Sequence, residues 1–427
     1  MMQSDLTPDM IQAALTAPGA DASGLTDSSA AIQAAIDRYS NVVLAPGRYL
    51  ITTPLTLSTN QRLIGSGEGL TTLAPAGDMD LIRFAGSNVE TAGYSVDNSN
   101  RTGGTDFVID TGSGANLTGI RIHDIYCEQS YQALSDLGTG IYVQLRMDRV
   151  KHLRHRGPGY VMRRGFSFLY IDFSNTLEFT NSVSPNFIGF DFDGATLSGP
   201  AGGLYLGLNL AGSAGEAGTT SAQNGFVIQH AAEIHFERCR ADTLGGDGLL
   251  LNACNNVYFS DSPFYGLCGG MQVRIRDSIY VEGSGFTVRG RGTIGGAASQ
   301  HGVSFEGGTS EISLARISAR ENTGDGINFN GTGSNIQIGA ISARSNIGNG
   351  VQKQGGGRGT TEIGNLMAIA NGARGLLTDD AGAFGVKGGL LNANVGGNLE
   401  LGSDLHVARS MTIESGACGD YTGPVTA

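Results

Sequence analysis

The sequence predicts an all-β chain wound as a right-handed parallel β-helix, a solenoid of about 22–25-residue coils with an N-terminal capping helix. Three observations carry this prediction. Glycine-opened strand segments recur through the C-terminal half at a nearly constant interval, and asparagines recur at the same interval. In addition, 68 of the 427 residues are glycine, far above the ~7% of an ordinary globular chain.

Composition narrows the function classes. Apolar residues make up 40% and charged residues 15%, which suits a large buried core and excludes a disordered chain. With 27 basic against 39 acidic residues, the net charge of −12 argues against nucleic acid or an anionic membrane as a general partner. No apolar run approaches the roughly 18 residues of a bilayer span, so membrane insertion is not expected. The opening MMQSDLTPDMIQAAL has neither a basic n-region nor an apolar h-region, so Sec-type export is not expected either. Cys127, Cys239, Cys254, Cys268 and Cys418 form no CxxC pair or zinc spacing. They are read as reduced and structural, in a chain assembled in a bacterial cytoplasm, and neither a metal nor a cofactor is expected.

Taken in order, residues 1–18 form an N-terminal segment available for attachment, and 19–60 hold the capping helix and first coil. Residues 19–67 read GADASGLTDSSAAIQAAIDRYSNVVLAPGRYLITTPLTLSTNQRLIGSG. Thr26 or Asp27 can cap a helix whose inner stripe includes Ile32, Ala35 and Ile36, and Val42 to Leu44 then begin a strand. Such a helix would close the open end of a stack whose strand edges are otherwise unpaired. The Gly-Ala-Asp segment, the Thr-Asp-capped AIQAAID helix and the turn Pro46-Gly47-Arg48-Tyr49 resemble the opening of pectate-lyase-superfamily β-helices. Ala22-Ser23-Gly24 and Ser28 depart from that pattern, which often shows Gly-Asp-Gly and a second Asp, so no ion site is read there.

The β-helix proper is expected over 61–410, followed by a C-terminal tail, 411–427. Before residue 225 the strands are irregular, with a long connection from Leu197 to Asn224 expected to project as a loop. From Gly225 onward, strand lines open at Gly225, Gly248, Gly270, Gly302, Gly326, Gly350 and Gly375, each followed by a second short strand. The insertion between Val281 and His301 stretches one coil. Asn322, Asn346, Asn371 and Asn394 follow the same period and are expected to stack as an amide ladder at one turn. Roughly 13 or 14 coils at about 4.8 Å each would make a shaft some 65 Å long.

Candidate site residues come from strand alternation. If Ile234, Val257 and Ile279 share one inward column and Phe236, Phe259 and Val281 another, then His235, Tyr258 and Tyr280 form an outward stack. Glu237, Ser260 and Glu282 would lie beside it, with Asp261 one position further. Aromatic faces bind sugars and carboxylates serve as acid and base. Adjacent and alternate coils separate equivalent atoms by about 4.8 and 9.6 Å, which brackets the roughly 5–9.5 Å between glycosidase carboxylates. Glu237 with Asp261, or Glu237 with Glu282, could thus be a catalytic pair, while the same ladder could equally finish a solvated sheet.

Asp191 and Asp193 in FDFDG share a strand face and offer a second acid/base candidate, with a turn role as the alternative. Between Arg146 and Arg164 lie seven of the 27 basic residues plus His152 and His155. This cationic strip, with Arg154 and His155 as substrate-binding candidates, could hold uronates or sialate, or could pair with neighbouring acids. There is no GxxxxGK[ST], GxSxG, HExxH or calcium-binding nonapeptide array.

The pectate-lyase-superfamily resemblance implies polysaccharide as partner, since the family includes lyases, glycoside hydrolases, epimerases and phage tailspikes. The expectation is a polysaccharide-binding spike or fibre of a phage or phage-like particle, attaching to host surface glycan, with depolymerisation left open. By the same resemblance it would be a homotrimer joined to a virion adaptor through its N-terminus. The alternative is a free bacterial lyase, hydrolase or epimerase, reaching its substrate by a non-Sec route, and a third is a purely structural attachment protein.

Overall fold

Strands pair in parallel one coil apart: Ile312 with Ile336 and Ile336 with Thr361 in one sheet, Ile327 with Val351 and Val351 with Leu376 in another. These intervals of 24 or 25 residues match the period read from the glycines and asparagines. From Val273 onward successive strands alternate between the two sheets, so the chain winds instead of turning back on itself, as a right-handed parallel β-helix. This computed structural model describes residues 17–112, 114, 116–172, 174–179, 187–195, 201–211, 224–261, 263–290, 301–354, 360–378, 384–401 and 405–413. Most of the 1–18 segment, most of the 197–224 connection, the 291–300 part of the long-coil insertion, and the tail from 414 with Cys418 lie outside the described residues.

Two compact units make up the chain: Met1–Val183 with Thr196–Asn209, and Ser184–Ala195 with Leu210–Ala427. In the first, the helix Ser29–Arg38 buries Ile32, Ala35 and Ile36, the predicted stripe. It starts later than the predicted caps. Ser28 is the N-cap but its hydroxyl bonds the Asp21 backbone and not the helix, while Asp27 accepts from the Ser29 backbone and hydroxyl at 2.9 and 2.6 Å, and Thr26 turns to Asp21 instead. The capping function is carried by Gln33, whose amide accepts from Thr56 N at 2.8 Å and donates to Thr56 O at 3.1 Å. One side chain thereby satisfies backbone groups at the edge of strand Leu55–Leu57 that a neighbouring strand would otherwise meet.

In the second unit, alternation builds the core. Ile234 and Val257 stack in one inward column, Phe236 and Phe259 in the next at 5.0 Å, and all four are buried. The asparagine ladder forms as predicted: Asn322, Asn346 and Asn371 each donate Nδ2 to the next Oδ1 at 2.7, 2.9 and 2.8 Å, and Asn394 donates in turn to Asn398 Oδ1 at 2.8 Å. All four are buried, so the ladder satisfies polar groups that water cannot reach, except Asn322 Oδ1 at its first rung. Cys127, Cys239, Cys254 and Cys268 are buried and in no disulfide, as structural cysteines would be.

Candidate functional site

The outward columns of the second unit create a groove. His235 and Tyr258 stand in register, and the column continues through Glu282, Ser313, Gln337 and Glu362. The parallel column beside it is small: Ala315, Gly339 and Gly364. A Cβ on Gly339 would stand 2.7 Å from the Ala315 carbonyl oxygen, and one on Gly364 2.5 Å from that of Gly339, so larger residues there would push the coils apart. Small residues flanked by a polar column leave a trough of about 450 Å³, lined by Glu282, Ser313, Gln337 and Glu362, with Lys387 bonded to Glu362 at 3.1 Å. It offers carboxylate, amide, hydroxyl and ammonium groups along the coil direction.

Three features of the predicted patch differ. His235 and Tyr258 do stack, with centroids 4.7 Å apart and planes 18° from parallel. Rings so placed turn their faces to each other and their edges and polar tips to solvent, so the ladder offers hydrogen bonds where sugar-stacking faces were expected. Burial pulls the His235 imidazole below the usual histidine range, which favours the neutral ring. Tyr280 is not in this stack, because Val257 pairs with Val281 and Tyr258 with Glu282, a shift of two residues. Gly283, which is exposed, takes the register position next to Phe259, and the Phe286 ring packs on Phe259 at 5.1 Å. Tyr280 falls at a left-handed position, φ 56°, as Asn256 does in the coil before. Glu282 consequently lies in the tyrosine column, away from Glu237.

Glu237 and Asp261 are brought together, but on either side of Arg238, at 3.3 and 3.0 Å. That guanidinium would have to move before either carboxylate could act as acid or nucleophile. Asp191 and Asp193 do share a strand face, and Asp193 bonds His230 Nδ1 at 2.9 Å and the Ala195 backbone N–H at 2.9 Å, a turn and pairing role.

The cationic strip divides between surface and interior. Arg154 is exposed and ion-paired with Glu128, whereas His155 is fully buried and donates Nε2–H to Pro158 O at 2.7 Å, so it does not reach a surface glycan. Burial and the neighbouring His152 depress the His155 imidazole to about 3. His152 is buried as well, beside Asp106, Cys127, Ser130 and Arg101. Asp106, Cys127 and His152 are the group of metal-type donors that converges among the described residues, within 4.8 Å. Asp106 is already engaged by Arg101 at 2.8 Å and by Ser130, and although burial pushes its carboxyl up, His152 and Arg101 outweigh that and hold it down. Burial pushes the Cys127 thiol well up, away from the ligating thiolate. The cluster is an interior network whose carboxylate is already engaged, with His152 Nε2 left without a hydrogen-bond partner among the described residues.

Strand alternation had a further surface to offer, on the first unit. Glu90, Arg121, Arg146, Tyr170 and Tyr205 form one outward column, the two tyrosines stacked at 4.6 Å and 11°. His123 lies beside it with Nε2 2.6 Å from Glu90 and Nδ1 2.6 Å from Asp124, so neither nitrogen is free to take a proton from a substrate. The Arg149 guanidinium, with His123, holds the Asp124 carboxyl far below its usual range. Arg146 grips both oxygens of Asp148 at 3.0 and 2.8 Å. Tyr170 in FSFLYI carried the signal, an aromatic at an outward position of an alternating strand.

The start of the chain has known counterparts. Residues 15–135 match the family Rhamnogalacturonase A/epimerase, pectate lyase-like. This pectate lyase-like segment holds the capping helix together with Glu90, Arg121, His123 and Asp124. No curated protein matches the sequence. Among solved structures, the chain is similar to the A-module of a mannuronan C-5 epimerase from Azotobacter vinelandii, at 14% identity over 93% of this chain and 98% of that one, TM-score 0.49. It is also similar to a surface adhesin of Streptococcus pneumoniae, at 11% identity over 89% and 91%, TM-score 0.39. A third similarity is to the catalytic unit of a thermostable alpha-1,3-glucanase from Streptomyces thermodiastaticus, at 12% identity over 93% and 67%, TM-score 0.36.

Proposed function

We propose that this protein binds a polysaccharide laid along the outer face of its second unit. The observation that carries the reading is the trough of about 450 Å³, whose polar groups Glu282, Ser313, Gln337 and Glu362 repeat coil by coil beside a column of small residues. A small metabolite needs a closed pocket, while a repeating polymer is matched by a repeating wall. The pectate lyase-like segment at 15–135 supports polysaccharide as the ligand class. The proposal includes attachment to host surface glycan as a homotrimeric spike of a phage or phage-like particle, with an adaptor at the N-terminus, for which the tailspike resemblance is the support. The decisive measurement is calorimetric binding to purified bacterial surface polysaccharides by the wild type and by Gln337→Ala with Glu282→Gln. Loss of affinity in a variant with unchanged circular dichroism is expected; unchanged affinity would overturn the trough as the binding site.

Glycan cleavage is the second reading, favoured by the rhamnogalacturonase- and epimerase-type family match. Glu237 and Asp261, on neighbouring coils, would act once a substrate draws Arg238 away. Sizing the glycan after incubation, with ultraviolet detection of unsaturated ends, separates hydrolysis from elimination. Shortening that disappears in Glu237→Gln or Asp261→Asn would establish this pair, and no shortening would leave attachment alone.

A further inference from the structure

A second pattern in the same unit lies outside the trough. Arg289 is in register with Arg320, and Arg320 with Arg344, so three guanidinium side chains rise one above another at about 4.8 Å per coil. Exposed Arg316 lies on the strand of Arg320, next to Ala315 of the trough. Between Arg316 and the column run Thr287, Ser318 and Ser342, also in register.

Like charges directly opposite one another across paired strands repel. A chain of net charge −12 has carboxylates in excess with which to relieve such a column. It does so once, where Arg289 meets Glu321 at 2.7 Å. Among the described residues no carboxylate pairs with Arg316, Arg320 or Arg344, and Arg344 turns to the Met367 sulfur, which carries no charge. The arrangement is therefore unfavourable in the free protein and becomes favourable when an anion is supplied from outside.

We propose that Arg289, Arg320 and Arg344, with Arg316 beside them, form a ladder that binds the oxyanions of an anionic polysaccharide. The guanidinium fork pairs with carboxylate, sulfate or phosphate through two parallel N–H bonds, and the flanking hydroxyls can donate to oxygens left over. A polymer running along the coils would place successive anionic groups on successive arginines, which a single free anion cannot do. This assignment rests on the proposed polysaccharide binding and adds the charge class of the polymer.

The experiment measures binding to a sulfated polymer (heparin), a carboxylated one (polygalacturonate), a phosphate-bearing one (teichoic acid) and neutral dextran. The proteins are the full-length wild type, Arg320→Gln/Arg344→Gln, and Gln337→Ala. Loss of two charge-assisted contacts should weaken binding of the cognate anionic polymer about tenfold or more and reduce its salt dependence. The polymer class that responds identifies the oxyanion. Anionic polymers binding equally to the arginine variant and the wild type would overturn the ladder, as would binding to none of the three. Dissociation of a wild-type oligomer on losing Arg320 and Arg344 would also overturn it, making the column a contact between copies. If Gln337→Ala changes nothing while the arginine variant loses affinity, the trough reading fails and the ladder stands; the reverse result separates them the other way.

Discussion

Tyr258 shows how a correctly predicted neighbour can have a different use. Its ring is covered by His235 at 4.7 Å, while its hydroxyl has no partner among the described residues. If the hydroxyl is what meets glycan, Tyr258→Phe should weaken binding by roughly 0.5–1.5 kcal/mol, the worth of one hydrogen bond. If the face were used, the phenylalanine variant would bind as the wild type does, and titration calorimetry distinguishes the two. His155 carries a second residue-scale prediction. Its folded value of about 3 lies below the unfolded 6.5, so between those values the unfolded chain takes up a proton that the folded chain refuses. Its contribution is complete above pH 6.5 and is lost as pH falls toward 3, by up to about 1.4 kcal/mol per pH unit. Urea midpoints at about pH 7.5 and about pH 5 should therefore differ less in His155→Phe than in the wild type. Sequence composition showed a cationic strip; that His152 and His155 turn inward from it was hidden by left-handed residues at Arg149 and Arg154, which break strict alternation.

At the scale of single elements, the asparagine turn was legible because its spacing equals the coil period. Asn346 both donates to Asn371 and accepts from Asn322, so Asn346→Ala leaves buried groups unpaired on two coils. Chemical denaturation should show a loss of about 1–3 kcal/mol per orphaned group, and a smaller loss for Asn322→Ala, since Asn322 Oδ1 accepts no hydrogen bond among the described residues. The register of strand Ile279–Arg289 was not legible. A slip of one residue would turn every apolar side chain outward, but a slip of two preserves the alternation and leaves the pattern equally satisfied. What settles it is Gly283 against the Phe259 carbonyl and Phe286 against the Phe259 ring, contacts made between coils. Moving Glu282 into the tyrosine column follows directly, and with it the trough.

For the whole molecule, association is the property to measure. Sedimentation at micromolar concentration should give a species near three times the 44.1 kDa chain if the spike proposal holds, and a monomer would remove the trimer without touching the fold. Exposed arginines are the groups most sensitive to this outcome, because burial in a contact between copies would give Arg320 and Arg344 the carboxylate partners they lack among the described residues. Repeating the sedimentation at high salt, where surface charge pairs are screened, tells a charge-held assembly from an apolar one.

The sequence by itself determined the solenoid, its period, the capping helix with Ile32, Ala35 and Ile36 inward, and the asparagine ladder. Each of these is a property of spacing along one chain, either the coil period or the alternation within a strand. Only the tertiary structure decided which outward residues stand above one another, that the His235–Tyr258 faces are covered, that Arg238 lies between Glu237 and Asp261, and that Arg289, Arg320 and Arg344 align. Those depend on register between coils that a chain pattern with a two-residue period leaves open, and on side chains choosing among several charged neighbours at similar distances. Contacts between coils, Gly283 against the Phe259 carbonyl and buried Phe286 against the Phe259 ring, select the register, and the outer face follows from it.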